Sequence, residues 1–118
     1  AGYPLGFHIS PVIIYEGWKK EYAELLEEMR TKLPPIKPEN DLRFEIVAHR
    51  FTPRAKQTIL EVYPATTLEM DEGQRKWKWG QFGYGKYVYD KQTYEEITSF
   101  FTAHLRRLFP EATLDYIV

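Results

Sequence analysis

Cysteine is absent from these 118 residues, which excludes disulfides, thiolate zinc sites and cysteine-held iron–sulfur clusters from the chemistry the chain can carry by itself. Long apolar runs are absent too. None approaches the roughly eighteen residues that would read as a membrane span, and no cationic start precedes an apolar stretch, so the expected location is cytoplasmic. Charge of one sign is also lacking, because 16 Lys and Arg against 17 Asp and Glu leave a net charge of −1. No nucleophile elbow, phosphate-binding glycine loop or dinucleotide fingerprint occurs, so ordinary hydrolase and kinase readings have no support. Internal repeats, low-complexity tracts and linkers are missing as well. What is present suffices for a core: 43% of the residues are apolar and 16% aromatic, which fits one domain over residues 1–118.

The balanced total conceals one unbalanced stretch. Gln74 to Tyr89, QRKWKWGQFGYGKYVY, holds four cations, no acid, three glycines and six aromatics, Phe82 among them. Lys76 and Lys78 alternate with Trp77 and Trp79, so an extended strand puts ammonium groups on one face and indoles on the other. Gly80, Gly83 and Gly85 supply the turn, and Lys86 to Tyr89 returns as a second strand. The prediction is a basic, aromatic β-hairpin at about residues 74–90. Such a surface can stack bases and neutralise phosphates, or wedge an aromatic into a duplex. It can equally be a packed hairpin whose rings bury against the domain. The +4 carried by Arg75 to Lys86 within a chain of net −1 favours contact with nucleic acid.

The rest reads as alternating strands and helices. Leu5 to Ser10 suggests a buried strand. Glu16 and Gly17 then lead into a helix with a core stripe of Trp18, Tyr22, Leu25, Leu26, Met29 and Leu33. Pro34, Pro35 and Pro38 end it. Arg43 to Arg50 reads as a strand, and Thr52 followed by Pro53 as the cap of a second helix running to about Tyr63 before Pro64. Thr66 to Met70 suggests another strand. After the hairpin, Thr93 begins a helix with a core face of Ile97, Phe100, Phe101, Leu105 and Leu108, while His104 reads as a partly exposed helix residue. Leu114 to Val118 offers the last strand. This order indicates an α/β domain with parallel strand–helix units.

If the strands belong to a barrel-like parallel sheet, site residues lie at strand carboxyl ends. His8 and Ser10 fall at the end of the first strand, and His49 and Arg50 at the end of the second. The plain structural uses are a core histidine at position 8 and an ion pair from Arg50 to Glu45 or Glu69. The histidines alone specify no metal, since no further ligand has recognisable spacing.

Phe7-His8-Ile9-Ser10-Pro11 with Tyr15-Glu16-Gly17-Trp18, then His49-Arg50-Phe51-Thr52 with Ala55-Lys56, resemble segments of the spore photoproduct lyase family. So do Lys78-Trp79-Gly80 with Gly83, Gly85-Lys86-Tyr87 and Tyr89, the most specific portion, and Phe109-Pro110 with Ala112 and Leu114-Asp115-Tyr116. The similarity runs in order over the whole chain and matches the C-terminal part of the family.

The resemblance implies a radical S-adenosylmethionine enzyme of DNA repair and a partial (β/α) barrel of that type with the hairpin added. In this family a 4Fe–4S cluster held by CxxxCxxC cleaves S-adenosylmethionine to a 5′-deoxyadenosyl radical. That radical opens the methylene-bridged thymine dimer called spore photoproduct, and a further cysteine donates a hydrogen atom. None of those cysteines is here, so the expectation is a C-terminal fragment, inactive alone, whose partners are the N-terminal radical region before Ala1 and double-stranded DNA bearing the lesion. The expected setting is the cytoplasm of a spore or germinating cell. Carried onto matching positions, the family hairpin covers Arg75 through Lys86. Lys76 and Trp77 would contact lesion or backbone, Arg75 and Lys78 would hold phosphates, and Trp79 would support packing. Arg50, Arg54 and Lys56 would extend the phosphate track, and His8, Ser10 and His49 would lie beside the S-adenosylmethionine pocket. A stand-alone nucleic-acid-binding module that stacks single-stranded bases is the alternative, and a protein–protein module with an exposed aromatic patch a third.

Overall fold

A computed structural model describes residues 5–34, 41–80 and 83–118. The expected helix stops Pro35 and Pro38, and Phe82 of the hairpin, lie outside the described residues.

Two of the expected parallel units form around one sheet. Strand β1 (Leu5–Val12) is followed by helix α1 (Trp18–Lys32) and strand β2 (Leu42–Ala48). β1 and β2 pair in parallel with Leu5 opposite Leu42 and His8 opposite Glu45. The third strand is the last one, β5 (Thr113–Ile117), also parallel to β2, which gives the order β1-β2-β5. Along β2 the side chains of Leu42, Phe44, Ile46 and Ala48 are buried while Arg43, Glu45 and Val47 are not. That period of two assigns one sheet face to the core and leaves the other polar and open.

The core face is covered by α1 and by helix α3 (Lys91–Leu108). Trp18 and Leu26 from α1 and Ile97, Phe100, Phe101 and Leu105 from α3 join Phe44, Ile46 and Phe109 in one cluster. Tyr22, Met29 and Leu33 pack against it, but Leu25, expected in the stripe, is 41% exposed. It sits about 100° around the helix from Leu26, off the seam that residues 18, 22, 26 and 29 define. Gly17 caps α1 at φ 88°, a left-handed conformation that side chains resist. Helix α3 starts two residues before the expected Thr93, because the Asp90 carboxylate accepts from Thr93 N–H at 2.8 Å.

Helix α2 (Pro53–Val62) has the expected cap, with Thr52 Oγ1 accepting from Ala55 N–H at 3.0 Å. The strand expected at Thr66 to Met70 does not form. There Thr66 Oγ1 accepts from Leu68 N–H and Glu69 Oε1 from Asp71 N–H, so local side-chain bonds satisfy backbone that a ladder would otherwise need. A short 3₁₀ turn (Glu72–Gln74) then delivers the chain to strand β3 (Arg75–Trp79), which pairs antiparallel with β4 (Gly85–Tyr89).

Candidate nucleic-acid interface at the hairpin base

The hairpin is fastened to the carboxyl end of β2. Phe51, just past that strand, forms a bridge to Tyr87, with its N–H donating to the Tyr87 carbonyl at 3.1 Å and its carbonyl accepting from Tyr87 N–H at 2.7 Å. Phe51 enters the sequence reading only within the family-like run His49-Arg50-Phe51-Thr52, with no role assigned, because it lies between a strand and a cap.

Alternation along β3 gives the hairpin two unlike faces. On one, Trp77 meets Tyr87 edge to face at 4.8 Å and Trp79 at 5.3 Å, and Tyr87 stacks on Phe51 at 5.2 Å. This aromatic column runs from a solvent-facing Trp79, 68% exposed, down to a buried Phe51. Gly85 makes it possible, since a Cβ there would fall 1.7 Å from the Trp77 ring. The indole therefore lies directly over the opposite backbone. Trp79, expected to support packing, is thus the exposed ring, and the half-buried Trp77 does the packing. On the other face Lys76 and Lys78 stand exposed and Lys86 is half-buried.

Arg75 lies at the foot of the aromatic column and is the most enclosed cation of the hairpin, with a side chain 1% exposed. Its Nη2 and Nε donate to Glu69 Oε2 at 2.7 and 3.1 Å. Nη1 donates to the His49 carbonyl and Nη2 to His49 Nδ1, each at 3.0 Å. The guanidinium also lies 3.8 Å from the Tyr89 ring centroid and 5.2 Å from that of Phe51. Each of its three nitrogens donates inside the protein and the side chain is enclosed, so it is a strut and not the phosphate contact that sequence suggested. It also takes the carboxylate expected for Arg50. The other candidate partner of Arg50, Glu45, accepts instead from His8 Nδ1 and the Tyr116 hydroxyl, each at 3.0 Å. Those two bonds hold the Glu45 carboxyl below its usual pKa range.

An arginine can only donate, so His49 Nδ1 must be the unprotonated, accepting nitrogen. The neutral ring then carries its proton on Nε2. Burial first, and the Arg75 charge second, push the His49 pKa down, with Glu69 pulling the other way. His49 is therefore held as a neutral hydrogen-bond donor at the end of β2, and its main-chain N–H ties that end to the Val12 carbonyl at 2.8 Å.

The other expected site residues are scattered. His8 is no core histidine: it lies on the open face of the sheet with its side chain 53% exposed. His8 and His49 are separated by four register positions, about 13 Å along the strands. Ser10 stands exposed near the end of β1. Arg54 is exposed at the start of α2, whereas Lys56 is paired with Glu72 at 3.7 Å. Arg50 and Lys78 come together, with His49, in the wall of a cleft of about 130 Å³ at the hairpin base. A larger cavity, about 490 Å³ between α3 and β5, is lined by none of them and, among the described residues, has Arg106 as its one charged lining residue. No group of three or more metal-ligating side chains occurs among the described residues, nor any helix long and apolar enough to cross a membrane.

Fold and site together define an α/β protein whose parallel sheet presents, at the carboxyl ends of its strands, a docked hairpin with cations on one face and stacked aromatics on the other. The family model described as Spore photoproduct lyase matches residues 1–118. The chain is 51% identical over 118 residues to the spore photoproduct lyase of Clostridium acetobutylicum, covering 100% of this chain and 34% of that one. It is 41% identical over 116 residues to that of Bacillus subtilis, covering 98% and 34%. Among solved structures, a spore photoproduct lyase complexed with dinucleoside spore photoproduct superposes with a TM-score of 0.89 at 39% identity, over 97% of this chain and 33% of that one. A mutant lyase with bound AdoMet and dinucleoside spore photoproduct gives 0.90 at 39%, over 98% and 34%. The chain belongs to the spore photoproduct lyase family, and it spans about a third of the length of the relatives it matches.

Proposed function

We propose that this chain is the C-terminal, DNA-binding part of a spore photoproduct lyase, which repairs the methylene-bridged thymine dimer by a 5′-deoxyadenosyl-radical mechanism. Its three-stranded sheet would be a segment of the partial (β/α) barrel, with the hairpin as the device that holds lesion-bearing duplex. The observation that carries this reading is the hairpin itself: three lysines on one face, an aromatic column on the other, and a rigid base at the carboxyl ends of parallel strands, where ligands of open and closed α/β sheets bind.

The residues divide by the work their surroundings permit. Lys76 and Lys78 are exposed and would meet phosphates, Trp79 is free to stack on a base, and Trp77 would orient it from below. Arg54 is placed to lengthen the phosphate track, and Arg75 holds the hairpin in position. The 4Fe–4S cluster does not fit these residues, which include no cysteine, so its ligands belong to another part of the protein. S-adenosylmethionine fits better. Ser10 and the donor His49 stand at strand ends and His8 on the same open sheet face, so they would contact its polar groups, and the cofactor when bound would supply the radical. Family membership over the whole chain weighs against a stand-alone binding module.

The test is the salt dependence of duplex binding. Replacing Lys76 and Lys78 by Ala should reduce the slope of log K against log salt by about 1.8. An unchanged slope, or tighter binding to single strands than to lesion-bearing duplex, would remove the hairpin from that role.

A further inference from the structure

The wall of the cleft between the end of β2 and the hairpin is rich in donors and contains no Asp or Glu among the described residues. Arg50 projects there with its Nε–H buried and without a hydrogen-bond partner among the described residues, although such a group ordinarily finds one. Lys78 lines the same space and lies directly across the ladder from Lys86, a like-charge cross-strand pair that opposes hairpin formation. His49, also in the wall, has its accepting nitrogen occupied by Arg75, so only an N–H remains to it. The Tyr94 hydroxyl donates to the Ile117 carbonyl, and Val118 N–H and carbonyl are bound to Ile46 and Ala48, so no acceptor from these groups answers Arg50. Burial, then Arg50, then Lys78 push the Lys86 pKa down, as expected where cations crowd without a counter-ion. A folded chain that gathers an orphaned arginine donor and two facing lysines is arranged for a negatively charged acceptor that it does not itself contain.

We propose that this cleft is an oxyanion subsite in which the Arg50 guanidinium and the Lys78 ammonium group hold one phosphodiester of a DNA strand, with Lys86 adding its charge from across the ladder. The cleft's volume of about 130 Å³ accommodates a phosphate group. Lys78 and Val88 of the lysine face line the cleft, whereas Trp79 does not, so a strand gripped here would leave Trp79 free for a base. The identity of the ligand rests on the nucleic-acid reading above, whereas the preference for an oxyanion does not.

The two are separated by titrating the chain with dimethyl phosphate and, in parallel, with acetate, at constant ionic strength set by chloride. The Arg50 Nε–H resonance and the Lys86 titration are followed by NMR. The expected result is a saturable shift of Arg50 Nε–H with dimethyl phosphate, an upward shift of the Lys86 pKa, and about tenfold weaker binding in Arg50→Lys, which keeps the charge and loses the fork. A shift that does not saturate, or a Lys86 response to dimethyl phosphate equally strong in Arg50→Lys, overturns the subsite. Stronger binding of acetate overturns its assignment to a phosphodiester. A loss confined to this assay, with the Lys76 and Lys78 salt slope intact, removes the subsite and leaves the hairpin's DNA role standing. Saturable dimethyl phosphate binding in a chain that fails to bind duplex does the reverse. Unchanged thermal melting of Arg50→Lys confirms that the comparison is between folded proteins.

Discussion

The enclosed and the exposed parts of the hairpin are built from the same residue types, cations and indoles, yet they do opposite work. Arg75 and Lys76 are neighbours in sequence, but one side chain is 1% exposed and hydrogen-bonded to Glu69 and His49 while the other stands in solvent. Trp77 is clamped over Gly85 and Trp79 is 68% exposed. The difference teaches that a cation or an indole in a basic aromatic segment carries no role by type. Position relative to the docking bridge at Phe51 and Tyr87 decides whether it holds the hairpin or presents it.

The sharpest way to break that contrast is to remove charge from each part in turn. Arg75→Met leaves the Glu69 carboxylate and the His49 carbonyl without their donor and removes the cation stacked on Tyr89. Loss of one partner from a fully buried pair costs about 3–5 kcal/mol, and since Glu69 is 34% exposed we expect about 2–3 kcal/mol here. In thermal melting this is a fall of about 10 °C. The double change Lys76→Ala and Lys78→Ala should alter stability by no more than about 0.5 kcal/mol, because neither side chain is buried or paired among the described residues. Equal destabilisation by the two would abolish the distinction between strut and contact.

The indoles give a second, smaller contrast. Trp77→Ala should cost about 1–2 kcal/mol of stability, less than the loss for a fully buried ring, because part of the ring is already in water. Trp79→Ala should leave chemical denaturation nearly unchanged and weaken binding of an oligothymidylate by about 1–3 kcal/mol, as loss of one stacked base would. Fluorescence titration and denaturant melts on both variants measure this. A Trp79 variant that binds normally would return the exposed ring to ordinary surface.

Much of this arrangement could be read from the residues. The hairpin, the parallel strand–helix units, the Thr52 cap and the buried stripes of α1 and α3 all follow from period and capping chemistry, which are local. The strand expected at Thr66 to Met70 failed because its apolar pattern competed with hydrogen bonds from Thr66 and Glu69 to the adjacent main chain. The site was legible in composition but not in assignment. Which carboxylate meets which cation depends on contacts between residues far apart in sequence, such as Arg75 with His49, and no spacing rule encodes them. Hence Arg50 and Arg75, both expected on phosphate from the resemblance, part company: Arg50 is without its alternative ion pair to Glu45 or Glu69 among the described residues, and Arg75 is enclosed.

The smallest effect probes the strut through a proton. His49 accepts from Arg75, so protonating it would break that bond and set two cations side by side, which is why its folded pKa lies below the usual value. The unfolded chain takes up this proton near pH 6.5, so between the folded and unfolded pKa values the unfolded state binds more protons and stability rises with pH. The contribution is complete above about pH 6.5 and is lost as the pH falls through the folded pKa. Glu28, Glu45, Asp90 and Glu111, all held below their ordinary values, lose their own contributions only at more acid pH, below about 4.5, which separates them from the contribution of His49. His49→Gln can still accept from Arg75 but cannot titrate, and His8 and His104 are common to both proteins. The melting temperature of the wild-type chain should therefore fall more between pH 7 and 5 than that of His49→Gln. Parallel pH profiles would mean that Arg75 does not hold the imidazole in one tautomer, and the node joining hairpin to sheet would reduce to the pair with Glu69.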